Sequence, residues 1–255
     1  MTQALPPAVV AGELVRLSTR QHVVALTFDG GGNADAAQAV LAILRREHVP
    51  GTFFLTGHFV KTYPRLARAI GRRYPVANHT VDHLDLRRLS TPAATQEIAR
   101  AQTMIERATG RDPRPLFRFP YGARDSRTLG IAHRLGYVSI RWTVDTWGWM
   151  GLRFQTVAGA GRRVLAHLVP GEIVLMHLGS SRDHSTIDSK ALAGVIRAVR
   201  ARGYRFVTLS GVRAPWDCFR RAPSTTGSMR STPSTRSSRF AAPAQSAKDF
   251  RSSPR

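Results

Sequence analysis

Val23-Val24-Ala25-Leu26-Thr27-Phe28 is an apolar run that stops at Asp29-Gly30-Gly31-Gly32. Such a run reads as a buried strand opening into a glycine loop. The chain then repeats this alternation. Asn33-Ala34-Asp35 opens an alanine-rich helix to about His48, with Asn33 as its N-cap. Pro50-Gly51 breaks the chain before a second strand, Thr52-Phe53-Phe54-Leu55, and a helix from Tyr63 or Pro64 to Arg73 follows. A short strand over Pro75-Val76-Ala77 comes next, and Ser90-Thr91-Pro92 starts a helix that Gly110 ends. Further strands are expected over 116–119, 137–140, 142–145, 173–176 and 205–209, with helices over 126–134, 156–167 and 189–202. Strands alternating with helices imply parallel pairing through right-handed crossovers. About seven such units predict an α/β fold, a distorted (β/α)-barrel of about seven parallel strands.

The 255 residues suffice for one such domain, expected over 21–212, after an N-terminal extension over 1–20. From about Ala214 the composition turns to Ser, Thr, Pro and Arg without apolar periodicity, so 213–255 is expected to be a disordered basic tail. A single cysteine, Cys218, excludes an internal disulfide and a cysteine metal cluster. No apolar run has the length of a membrane span. The first twelve residues lack a basic region, and Pro6-Pro7 interrupts their apolar run, so they do not read as a secretory signal.

The formal charge is +22, of which the stretch from Arg213 onward carries +7 and the first 212 residues +15. A basic surface favours polyanions. The arginines are scattered over expected helix faces, however, which reads as solvated charge. No aromatic platform or recognition motif for nucleic acid accompanies them, and a monomer is favoured.

Asn78-His79-Thr80-Val81-Asp82-His83 places two imidazoles four residues apart. On a helical turn those positions lie one above the other, so both rings reach one divalent ion. Imidazole nitrogen suits zinc, cobalt or nickel. In parallel α/β barrels the working face lies at the C-terminal strand ends. Asp29, the His79/His83 pair, Arg118, Asp145 and His177 all fall at expected strand ends. Each alone has a bland alternative: a turn residue, an ion pair, a helix cap or a buried histidine. Five strand ends carrying such groups together point to a site.

These residues also resemble a family. Leu26–Asp35, Asn78–His83, Arg118-Phe119-Pro120-Tyr121-Gly122, Trp142-Thr143-Val144-Asp145-Thr146 and Leu175-Met176-His177 are similar, in order, to the five motifs of the polysaccharide deacetylases. This is the NodB homology domain of carbohydrate esterase family 4. The resemblance implies metal-dependent removal of acetyl groups from N-acetylated polysaccharide, peptidoglycan or a chitin-like glycan, and a place in the cell envelope or outside the cell. It implies that His79 and His83 hold the metal, and that Asp29 is the general base with Arg118 orienting it. His177 is then the general acid with Asp145 as partner, the backbone N–H of Tyr121 meets the oxyanion, and Leu175 and Trp142 line the acetyl pocket. Two positions depart from the pattern. Gly30 stands where an aspartate metal ligand is common, and Gly148-Trp149 where an Asp-Trp pair is common. The first departure motivates an alternative, a catalytically weak carbohydrate-binding relic of the same fold.

Overall fold

The computed structural model describes residues 8–9, 12–166 and 168–213, so the expected tail lies, from 214 onward, outside the described residues. The strands are β1 (Ala8–Val9), β2 (Glu13–Leu14), β3 (Val23–Gly30), β4 (Thr52–Leu55), β5 (Val76–Asn78), β6 (Leu116–Phe117), β7 (Val138–Ile140), β8 (Val144–Asp145), β9 (Glu172–His177), β10 (Arg205–Val207) and β11 (Val212–Arg213). The helices are α1 (Ala37–Arg46), α2 (Gly57–Thr62), α3 (Pro64–Arg73), α4 (Thr91–Thr109), α5 (Ser126–Arg134), α6 (Val157–Ala166) and α7 (Ile187–Ala201). Eight strands pair in the order β2-β7-β6-β5-β4-β3-β9-β8, and β10 also pairs with β3. Every pairing is parallel. The sheet curls into a half-barrel with the helices around it. β1 and β11 form a separate parallel pair.

The two faces of β3 explain the architecture. Val24, Leu26 and Phe28 join a cluster with Val40 and Leu44 of α1, Ile70 of α3 and Leu192 and Ile196 of α7. Val23 and Ala25 join Phe54, Ala77, Leu116, Val138, Ile140 and Ile173 in a second cluster within the curl. Side chains alternate along a strand, so both faces of β3 are apolar because both are covered. Full burial of each phenylalanine contributes ~1.5–3 kcal/mol. Positions 27 and 29 continue the inner face to the C-terminal end of the strand, where it delivers Asp29.

Local signals set the helices. Ser90 Oγ accepts the Ala93 N–H at the start of α4, and Gly110 ends it at φ 73°. Asp125 and Thr128 close a capping box at α5.

Three expectations need correction. Asn33 does not cap α1, whose N-cap is Ala36; its side chain instead donates to Ser180 O across 2.8 Å and accepts Asp35 N–H. α2 was not expected; Thr56 caps it by accepting the Phe59 N–H at 3.0 Å. β2 falls within the stretch read as an extension, and pairs Glu13 with Ser139 and Leu14 with Ile140. Among the described residues no helix is long and apolar enough to cross a membrane.

Candidate active site

Asp29 and His177 are register partners on the neighbouring strands β3 and β9, each on the face that continues the inner cluster. Beside Asp29 stands Arg118, which follows β6 directly and is fully buried. Its Nη1 donates to Asp29 Oδ1 at 2.6 Å, Nη2 to Thr27 Oγ1 at 3.0 Å and Arg141 O at 3.1 Å, and Nε to Ile140 O at 3.3 Å. Its guanidinium lies 3.9 Å from the centre of the Phe54 ring. A cation is tolerated in such a place only when paired and fully hydrogen-bonded. Burial pushes the Asp29 pKa up, but the charges of Arg118, His79 and His177 and the Arg118 hydrogen bond outweigh it, so Asp29 sits below the usual carboxylate range.

The two histidines meet, though not on a helical turn as their spacing suggested. Thr80 and His83 take left-handed φ angles of 68° and 58°, and the segment after β5 is a non-helical loop. The ring centroids of His79 and His83 are 4.7 Å apart, edge to face, with the Tyr121 ring 4.6 Å beyond His83. Asn78 and Thr80 within the motif, and Glu97, Ile98 and Tyr137 outside it, hold this strained loop. Thr80 N–H donates to Asn78 Oδ1 at 2.9 Å, and His83 N–H to Thr80 Oγ1 at 3.1 Å. Glu97 Oε2 on α4 accepts the N–H groups of Val81 and Asp82 at 3.2 and 3.0 Å. Asn78 is anchored in turn by Ile98 O and Tyr137 Oη, both at 2.9 Å.

His79 Nδ1 lies 2.8 Å from Arg118 O, which only accepts, so this nitrogen carries the proton. Nε2 then presents its lone pair to Asp29 Oδ2, 3.3 Å away. Burial lowers the His79 pKa despite Asp29, and burial with the neighbouring His79 charge pushes His83 down to about 3. Two acceptors facing each other beside a second neutral imidazole fit a divalent cation. Among the described residues no three His, Cys, Asp or Glu side chains already stand as a metal cage. An ion held by these donors would take the rest of its shell from elsewhere. Gly30 supplies no donor, and a Cβ there would meet Leu55, Phe59 and Leu178 side chains at 3.0–3.2 Å.

Across the site His177 is one-fifth exposed. Burial alone would lower its pKa, but Asp188, Asp29 and Asp145 raise it above the ordinary value. Both Asp145 oxygens face the following loop, one accepting Trp147 N–H at 2.8 Å and the other Trp149 Nε1–H at 3.1 Å. Asp188, which the motifs did not single out, lies nearer His177. Leu175 is buried on the inner face of β9, Trp142 sits 5.7 Å from the Arg118 guanidinium, and Tyr121 is 72% exposed at φ 60°.

The polysaccharide deacetylase family profile matches residues 16–140. A chitooligosaccharide deacetylase of Azorhizobium caulinodans is 30% identical over 205 residues, which cover 76% of this chain and 96% of that protein. A peptidoglycan-N-acetylglucosamine deacetylase, PgdA, of Listeria monocytogenes is 32% identical over 80% of this chain, which spans only 41% of that longer protein. The crystal structure of the Bc1960 peptidoglycan N-acetylglucosamine deacetylase superposes with a TM-score of 0.72 at 27% identity, covering 77% of this chain and 90% of that one. The curled parallel half-barrel is shared with solved carbohydrate esterases, among them the family 4 carbohydrate esterase PdaA of Bacillus subtilis, which superposes with a TM-score of 0.70 at 25% identity. The chain belongs to the polysaccharide deacetylase family, carbohydrate esterase family 4.

Proposed function

We propose that this chain hydrolyses the acetamide of N-acetylated glycan, peptidoglycan or a chitin-like polymer, in or beyond the cell envelope, releasing acetate and a free amine. The observation that carries the reading is the buried Arg118–Asp29–His79 cluster facing His177 across one pair of strands. Asp29, kept ionised by Arg118, takes a proton from the attacking water as the carbon–oxygen bond forms. His177 then gives a proton to the amine nitrogen as the carbon–nitrogen bond breaks. A divalent ion held by His79 and His83, zinc, cobalt or nickel by donor chemistry, would supply Lewis-acid polarisation of the acetyl carbonyl. The exposed Tyr121 offers its backbone N–H as an oxyanion donor. Leu175 and Trp142 wall the acetyl side of the opening.

Acetate release from chitooligosaccharides and from peptidoglycan, with added zinc and with chelator, tests this reading in wild type and Asp29→Asn. Chelator-sensitive release abolished by the substitution is the expected result. No release on either substrate, alongside measurable glycan affinity, would replace the hydrolase by a carbohydrate-binding relic of the fold.

A further inference from the structure

We propose that Asp188, in the first turn of α7, is the positioning carboxylate for His177, reaching it through space that Gly148 leaves open. The proposal rests on the hydrolase reading of the same site. Asp188 is buried, and its Oδ2 accepts the backbone N–H of His177 at 2.7 Å. The same oxygen lies 3.8 Å from His177 Nδ1. That is too long for a hydrogen bond, and the side chains on both sides are left incomplete. His177 Nδ1 and Asp188 Oδ1 are each buried without a hydrogen-bond partner among the described residues. Buried polar atoms rarely stay unpaired, and catalytic hydrogen bonds are often long before substrate binds. A small rotation of the imidazole pairs Nδ1–H with Asp188 and leaves Nε2 as the nitrogen that meets the leaving amine.

Two further observations single out Asp188 over Asp145. Asp145 commits both of its oxygens to Trp147 and Trp149. A Cβ on Gly148 would lie 2.3 Å from Asp188 Cγ and 2.4 Å from each carboxylate oxygen. The carboxylate from α7 thus fills the volume where a side chain at 148 would begin, at the position where the family resemblance places an aspartate. The glycine and the distant aspartate are one arrangement: a carboxylate beside His177 delivered from a helix instead of from the loop after β8.

The test combines histidine ¹⁵N spectra with steady-state kinetics, His177→Gln serving to assign the His177 signals. In wild type His177 should carry a hydrogen-bonded proton on Nδ1 in addition to the proton that Nε2 gives to the amine, and Asp188→Asn should shift both ring nitrogens. In the same variant kcat should fall ~10–100-fold with KM changed less than about two-fold. Asp188→Ala/Gly148→Asp, which returns a carboxylate from the other side, should regain at least about ten-fold in kcat over Asp188→Ala. Unchanged His177 nitrogen shifts in folded Asp188→Asn would overturn the proposal, as would full kcat. If Asp188→Asn does not fold, the double variant's spectrum decides in its place. Wild type that releases no acetate fails the hydrolase reading, while the nitrogen shifts still decide whether Asp188 holds His177.

Discussion

Arg118 Nη1 and Asp29 Oδ1 meet at 2.6 Å although 89 residues separate them, and both side chains are buried. The guanidinium also ties Thr27, Ile140 and Arg141 together, so it locks β3 to the ends of β6 and β7 while it charges the base. Removing it strands a buried carboxylate. Arg118→Ala is expected to lower stability by ~3–5 kcal/mol in urea unfolding. Arg118→Lys keeps the charge but cannot span the fork, so ~1–3 kcal/mol is expected with acetate release down at least ~100-fold. Wild-type turnover in Arg118→Lys would rule out the fork as the device that orients Asp29.

A carboxyl far from this cluster sets a pH dependence of stability. Glu172, at the start of β9, is fully buried, and its Oε1 has no partner among the described residues. Burial pushes its pKa up to about 7 from 4.5, opposed only by the Val169 N–H. The folded state therefore holds a proton that the unfolded chain has released. The stabilising contribution is complete below pH 4.5 and is lost as the pH rises through about 7. Glu172→Gln should remove this slope and leave the protein ~1–3 kcal/mol more stable than wild type at pH 8, with little difference at pH 4. Parallel stability curves for the two proteins across that interval would show that the carboxyl does not titrate there.

The fold was legible where the signal is local. Runs such as Val23–Phe28 and Thr52–Leu55 are apolar on both faces because helices cover one side and the curl encloses the other, and that needs no knowledge of partners. The short helix α2 escaped because six residues hold too little periodicity, and its cap, Thr56, ends a strand. In the site, the residues at strand ends were readable because parallel topology gathers them. The nearness of His79 and His83 was anticipated, but its cause was not. Two left-handed residues and the Glu97 carboxylate make the loop, and neither leaves a mark in the spacing. Asp188 was invisible because the helix is expected to begin only at Ser189, whereas α7 begins at Ile187 and takes Asp188 into its first turn. Only the glycine at 148 hinted that a carboxylate must come from elsewhere.

Glu97 gives that loop a direct test. Its carboxylate receives two backbone N–H groups next to the imidazoles, so Glu97→Ala leaves both donors without their acceptor. Stability should fall by ~1–2 kcal/mol, and zinc affinity by ~10-fold or more, because the histidine loop is no longer held. Glu97→Gln retains one acceptor oxygen and should lie between. Thermal shift against zinc concentration reads both effects, since a ligand at 100 times its Kd adds about 2.7 kcal/mol to the stability of the folded state. Equal zinc-dependent shifts in wild type and Glu97→Ala would show that the loop needs no such support. No zinc-dependent shift in wild type would remove the ion from the proposed site.

Gly30 offers the sharpest contrast between sequence analogy and geometry. Analogy says that an aspartate at 30 restores a missing metal ligand. β3, however, continues as a strand through Gly30, so residue 30 faces opposite to Asp29, toward the helix layer that holds Phe28. A Cβ there meets Leu55 Cδ2 at 3.0 Å and Leu178 Cδ1 and Phe59 Cδ2 at 3.2 Å, all apolar and fully or almost fully buried. A carboxylate there starts against three packed apolar side chains and must displace them. Gly30→Asp is therefore expected to destabilise by ~2–4 kcal/mol without tightening zinc. Gly30→Ala, which tests the space alone, should cost ~1–2 kcal/mol. Melting curves and zinc titrations of the three proteins separate the cases. Tighter zinc binding by a folded Gly30→Asp would mean that β3 ends one residue earlier in solution and that the glycine is a lost ligand; a destabilised variant with unchanged or weaker zinc affinity makes Gly30 part of the packing.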